Sequence, residues 1–128
     1  MNDRYLCRAK RNSWRELPKE KWWVEGYYAY IQPYHYIMPK DNFDSWIEID
    51  EKTLCACTRL KDKNGNLIWE NDVVSVNGTL YVCRFDEENF DWEFQNCKET
   101  IGICCFHSSD IEITGNAIDN PELLEVGE

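Results

Sequence analysis

Two Asn-Gly dipeptides, Asn64-Gly65 and Asn77-Gly78, each sit between short apolar runs. Asn and Gly tolerate the positive φ angles of a tight hairpin turn, so residues 58–85 are committed to antiparallel hairpins. Around the second turn, Val74 and Val76 alternate with Val73 and Ser75, and Leu80 and Val82 with Tyr81 and Cys83. That is the period-two pattern of a twisted, half-buried strand pair. The first turn lies in residues 58–74, TRLKDKNGNLIWENDVV. There Ile68 and Trp69 are expected to anchor the core, and Asp72 to bond backbone amides where the chain enters Val73-Val74.

The rest of the chain follows the same style, with weak helical periodicity and short apolar runs between turn signals. Tyr5, Cys7 and Ala9 alternate with Leu6, Arg8 and Lys10 as a first strand. A polar stretch containing Pro18 follows, then a strand over 22–32, WWVEGYYAYIQ, whose Gly26 implies a bulge or a close backbone approach. Further strands are expected at 34–38, 43–49, 53–58, 72–76, 79–85, 89–95, 101–106 and 111–114. Asp119 or Asn120 is placed to cap one short helix that begins at Pro121 and runs over 122–126. The expected class is mainly β, a small barrel or strongly coiled antiparallel sheets with at most one short C-terminal helix.

At 128 residues the chain is most simply one domain. Its net charge of −10 divides it at position 58. Residues 1–57 carry nine Lys/Arg and nine Asp/Glu, whereas 58–128 carry five against fifteen. We therefore read a single domain, 1–128, with an aromatic and basic N-terminal β sub-structure (1–57) and an acidic, barrel-like C-terminal half (58–128). The acidic field disfavours direct nucleic-acid binding and anionic membranes. A basic patch formed by Arg4, Arg8, Lys10, Arg11, Arg15, Lys19 and Lys21 is suited to an acidic partner or a second copy. Seven cysteines, an odd number, and no signal-like N-terminus point to a reducing, cytoplasmic compartment.

The chemistry-bearing residues are sparse. Cys55 and Cys57 share a strand face, as do Cys105 and His107, so a zinc site with Cys104 nearby is conceivable. Zinc requires four ligands converging at about 2.0–2.3 Å. Residues two apart on a strand stand roughly 6–7 Å apart, Cys104 and Cys105 point to opposite faces, and no C-x-x-C knuckle is present. Small buried thiols account for the same residues, and no metal site is assigned. His107-Ser108-Ser109-Asp110 has hydrolase residue types, but a triad is assembled in space rather than strung along a turn. His35 reads as an ordinary strand residue. Asp86, Glu87, Glu88 and Asp91 read as a solvated hairpin loop, though they have the residue types for acid/base work or a divalent cation. No catalytic residue and no cofactor are assigned.

Three pieces of sequence carry a family resemblance. Residues 58–74 resemble the T-G-L-x-D-x-N-G-x-x-I-[YFW]-E-G-D-[IV]-V signature of the YopX family. Residues 113–124, ITGNAIDNPELL, resemble its V-x-G-N-I-x-[ED]-N-P-E-L-L ending, and Arg8-Ala9 with Trp23-Val24-Glu25-Gly26 also fits. The chain departs from the pattern at Arg59 and Asn71, both in place of glycine. The resemblance implies a mostly β fold with a barrel-like C-terminal half and a phage or prophage origin, and brings no established activity. The expected role is an accessory protein that is not an enzyme and acts through a protein partner, with homo-oligomerisation a second possibility. The alternatives are an acidic anti-host inhibitor that mimics nucleic-acid charge and a Cys/His zinc-binding protein or enzyme.

Overall fold

The computed structural model describes residues 6–42 and 44–123, with the side chain of Cys104 excepted. The protein is mainly β, with a curled, half-barrel antiparallel sheet and a second sheet. Eleven strands occur among the described residues, several of them only two or three residues long. No helix among these residues is long and apolar enough to cross a membrane. The expected C-terminal helix starts at Glu122 and Leu123, and its remainder, 124–126, lies outside the described residues. The chain separates into two compact units, Met1–Cys57 and Thr58–Glu128.

In the first unit the strand order is β4 (Ile47–Glu48), β3 (Tyr34–Pro39), β2 (Trp23–Ile31), β1 (Leu6–Lys10), then the start of β5 (Cys55–Lys61). All pairings are antiparallel. Ala9, Val24, Ile37 and Ile49 form the core, with Cys7, Ile47 and Leu54 packed against it. Gly26 marks a close approach and not a bulge, since both its ladders run in unbroken register. A Cβ there would stand 2.1 Å from the carbonyl oxygen of Met38. The expected strand at 43–49 shrinks to Ile47–Glu48, and Phe43 lies outside the described residues.

The alternation expected for the first strand fails at Lys10. Leu6, Ala9 and Lys10 are all buried. Two short 3-10 turns, Trp14–Glu16 and Lys19–Lys21, fold the stretch around Pro18 back over β1. The Lys10 ammonium lies 3.7 Å from the ring centre of Trp14 and 4.4 Å from that of Trp22. Arg8 lies 4.9 Å from the ring of Trp23. Both cations face tryptophan rings, where cation–π attraction offsets part of the lost hydration. The basic patch available to a partner is thus smaller than the composition implies; Arg4 lies outside the described residues.

In the second unit the order is β10 (Thr100–Gly102), β9 (Asp91–Gln95), β8 (Thr79–Asp86), β7 (Asp72–Val76) and β11 (Ile111–Asn116), again antiparallel throughout. Its core contains Ile68, Val74, Val76, Tyr81, Cys83, Phe94, Ile103 and Ile111. Asn77 and Gly78 both have positive φ (53° and 86°), as a two-residue hairpin demands. At the first Asn-Gly only Gly65 does, at 82°. The turn there is a longer loop that joins β5 to β6 (Leu67–Trp69), closed by Asp62 N donating to Asn66 O at 2.9 Å.

Asp62 and Asp72 are both buried and both accept from backbone amides. Asp62 accepts from Asn64 and Asn66 through Oδ1 and from Ile113 through Oδ2. Asp72 Oδ2 accepts from Trp69 N at 2.7 Å, which is the role expected of it. Ile68 and Trp69 are buried as expected. The second signature piece is also a hydrogen-bonded corner: Asn116 Oδ1 accepts from Ile118 N and Asp119 N, and Asn116 O accepts from Asn120 N at 2.7 Å.

Candidate functional site

Polar chemistry and exposed aromatic surface coincide at the β2–β3 hairpin. Its turn holds a cis Gln32-Pro33 bond, and its register sets Ile31 opposite Tyr34, Tyr30 opposite His35 and Tyr28 opposite Ile37. Cross-strand partners share a face, so the two surfaces of the hairpin divide cleanly.

On one face Ile37 is buried in the core, and Tyr28, Tyr30 and His35 continue outward from it. Tyr28 Oη lies 2.5 Å from His35 Nδ1, and His35 Nε2 lies 3.0 Å from Glu51 Oε2. With the phenol donating to Nδ1, the proton on Nε2 is directed at the carboxylate. The His35 ring also packs 4.7 Å from the ring of Tyr30, centre to centre. Partial burial, then the nearby Glu51 carboxylate, Tyr30 and Cys7, raise the Tyr28 phenol above its ordinary value. A raised phenol stays protonated at neutral pH, the opposite of an activated nucleophile. This chain links β2 and β3 to the 3-10 turn Glu51–Thr53.

The other face carries a run of rings. Tyr34 and Tyr36 have centres 6.4 Å apart, and Tyr36 meets Trp46 edge-on at 5.8 Å. At the tip, Ile31 and Tyr34 on this face are 54% and 50% exposed, and Tyr30 on the opposite face is 53% exposed. Three large apolar side chains are thus half open to solvent within five residues. Exposure begins at Tyr28, while Trp22 and Trp23 are only partly exposed beside Lys10 and Arg8. The exposed aromatic side chains of the segment 22–30 sit at its C-terminal end.

The other sequence candidates separate. Cys55 and Cys57 are buried on β5, and Cys55 Sγ donates to the Thr53 carbonyl at 3.2 Å. The strand expected over 101–106 ends at Gly102 and gives way to a 3-10 turn, Ile103–Cys105, so Cys105 and His107 do not share a strand face. Among the described residues no three His, Cys, Asp or Glu side chains converge as metal ligands would. His107 precedes a 3-10 turn, Ser108–Asp110, in which Asp110 N donates to His107 O. Asp86 caps the 87–90 loop, accepting from Glu88 N and Asn89 Nδ2. The Asn89 amide first, aided by these loop amides, holds its carboxyl below the usual range.

The sequence reading missed the Tyr28–His35–Glu51 chain. Its one visible signal was His35 two residues after Pro33, which places it across the turn from tyrosines. A family profile described as YopX protein matches residues 10–125. No curated protein matches the chain.

Proposed function

The chain belongs to the YopX family, and on that footing we propose a phage- or prophage-encoded accessory protein of the host cytoplasm that acts through protein contacts and not by catalysis. The tip of the β2–β3 hairpin is its contact surface. One observation carries this reading: Tyr30, Ile31 and Tyr34 are each at least half exposed on adjoining strands. Exposed apolar clusters are costly in water and mark interaction sites. Tyrosines suit such a site because they bring large, stiff contact area with a polar end. The Tyr28–His35–Glu51 chain supports the reading by bracing the surface from behind the tip.

The test is capture of partners from nuclease-treated host lysate with tagged protein, at low and at high salt. It compares wild type with a Tyr30→Ser, Ile31→Ser, Tyr34→Ser variant shown to fold by circular dichroism. The expected result is one protein recovered in near-stoichiometric amount, retained at high salt and lost in the variant. Capture lost at high salt and kept by the variant would overturn the hairpin and favour the acidic, nucleic-acid-mimicking surface. Recovery of the bait alone, in an assembly that the variant breaks, would identify a second copy as the partner.

A further inference from the structure

The loop between β8 and β9 turns an aromatic ring outward. Phe90 is 82% exposed, more than any other large apolar side chain among the described residues. At the base of the loop Phe85 is 39% exposed and meets its cross-strand partner Trp92 edge-on at 5.1 Å. The loop is held from within, since Asp86 Oδ1 accepts from Glu88 N at 3.0 Å and Oδ2 from Asn89 Nδ2 at 2.6 Å. Phe90 itself keeps a left-handed φ of 53°. Single apolar side chains on a surface are ordinary. Here the charge beside the ring says what would cover it.

That charge has one sign. None of residues 85–97 is Lys or Arg, while Asp86, Glu87 and Glu88 lead into Phe90. Glu87 and Glu88 are exposed. The partners of Asp86 are neutral groups of the loop, and they favour its charged form. The cation just before the loop, Arg84, donates to Asn71. Asp91 lines a cavity together with Arg59 and Lys61, so its charge does not count toward this surface. An aromatic ring attracts a cation over its face, and a guanidinium can stack there while its edge pairs with a carboxylate. An ammonium is more strongly hydrated and lacks the flat face that stacks.

We infer that the Phe90 loop is a docking surface for an arginine-bearing basic segment of a partner protein, with a guanidinium on the Phe90 ring and further cations on Asp86, Glu87 and Glu88. The hairpin reading concerns the other unit, and neither depends on the other. Tetra-arginine and tetra-lysine amides, equal in side-chain charge, test the inference when titrated into the full chain at low salt and followed by amide NMR shifts. Tetra-arginine is expected to bind about three-fold more tightly or better, the difference that a cation–π contact at an exposed site supplies. The shifts are expected to centre on residues 86–91. Asn tolerates the φ already present, so Phe90→Asn is expected to keep the fold and abolish the preference for arginine. Glu87→Gln combined with Glu88→Gln is expected to weaken both peptides by about three- to ten-fold and to keep the preference. Equal affinities in wild type, shifts centred outside the loop, a preference that survives Phe90→Asn, or unchanged affinity in the double variant would each overturn the inference.

Discussion

Asp62 ties together two pieces of chain 51 residues apart, its Oδ2 accepting from the amide of Ile113 at 3.1 Å. Its other oxygen closes the β5–β6 loop. Burial of this carboxylate tends to raise its pKa, but the amides of Ile113, Asn66 and Asn64, with Lys63 nearby, outweigh that and hold it below the ordinary value. A depressed native pKa means stability that is present above the unfolded value of about 3.9 and lost as pH falls through the native one. Urea midpoints of wild type are therefore expected to drop below about pH 4. Asp62→Asn should be less stable at pH 7 by roughly 1.5–3 kcal/mol and show a flatter acid dependence. Identical slopes for both proteins would disprove the assignment.

Arg59 and Asn71 stand where the family's usual pattern has glycine, and both keep left-handed backbone, at φ 69° and 73°. They should respond differently to glycine. Arg59→Gly removes a steric cost of about 1–2 kcal/mol and adds unfolded-chain entropy worth about 0.5–1, so the backbone part of the change is a gain of up to about 1 kcal/mol. Asn71 tolerates the geometry better and accepts from Arg84 through its side chain. Asn71→Gly loses that bond, so no gain, or a loss of about 0.5–1 kcal/mol, is expected from chemical denaturation. Equal stabilisation by both changes would contradict this account.

How much was legible differs from element to element. The 72–86 hairpin was readable in full, because Asn77-Gly78 dictates the turn and the turn fixes the register Val76↔Thr79. The loop at Asn64-Gly65 was placed correctly, but its type was not, since a buried carboxylate at Asp62 organises it. Lys10 was misread because alternation assumes one covered face, and β1 receives the Trp14 and Trp22 rings over the face that should be wet. The strand expected at 101–106 holds only to Gly102, because a short apolar run fits a 3-10 turn as well as a strand. The hairpin site was least visible of all. Its chain needs Tyr28, His35 and Glu51 together, and nothing local in sequence joins a histidine to a carboxylate 16 residues on.

Gly26 was read as a bulge or a point of close approach, and the close approach it makes gives a sharp prediction. Cys7 and Pro39 flank it on neighbouring strands, and a Cβ would sit 2.1 Å from the Met38 carbonyl oxygen and 2.8 Å from Ile37 Cγ2. The first obstacle is backbone at the end of the β2–β3 ladder, which cannot turn aside as a side-chain tip can. Gly26→Ala is expected to cost about 3 kcal/mol or more, at or beyond the upper end for overpacking. Thermal unfolding followed by far-UV circular dichroism checks it, and a loss below about 1 kcal/mol would show that β2 and β3 can separate at that point.

Tyr81 gives the alkaline counterpart of Asp62. Its ring packs on Phe94 and Phe106 in the core, and its hydroxyl donates to Glu99 Oε2 at 2.7 Å. The bond to Glu99 first, then burial and the negative charge of that carboxylate, raise the phenol above its ordinary value. A raised native pKa gives stability that is whole below the unfolded value of about 10 and lost as pH rises through the native one. Tyr81→Phe keeps the ring and removes both the bond and the titration. At pH 7 it should cost about 1.5–3 kcal/mol, the usual range for a hydrogen bond to a charged group. Toward pH 11 the gap between wild type and variant should close, because wild type must ionise a buried phenol beside a carboxylate while the variant has nothing there to ionise. Denaturant midpoints at pH 7, 9 and 11 measure the gap directly, and a gap that stays constant would remove Tyr81 as the group responsible.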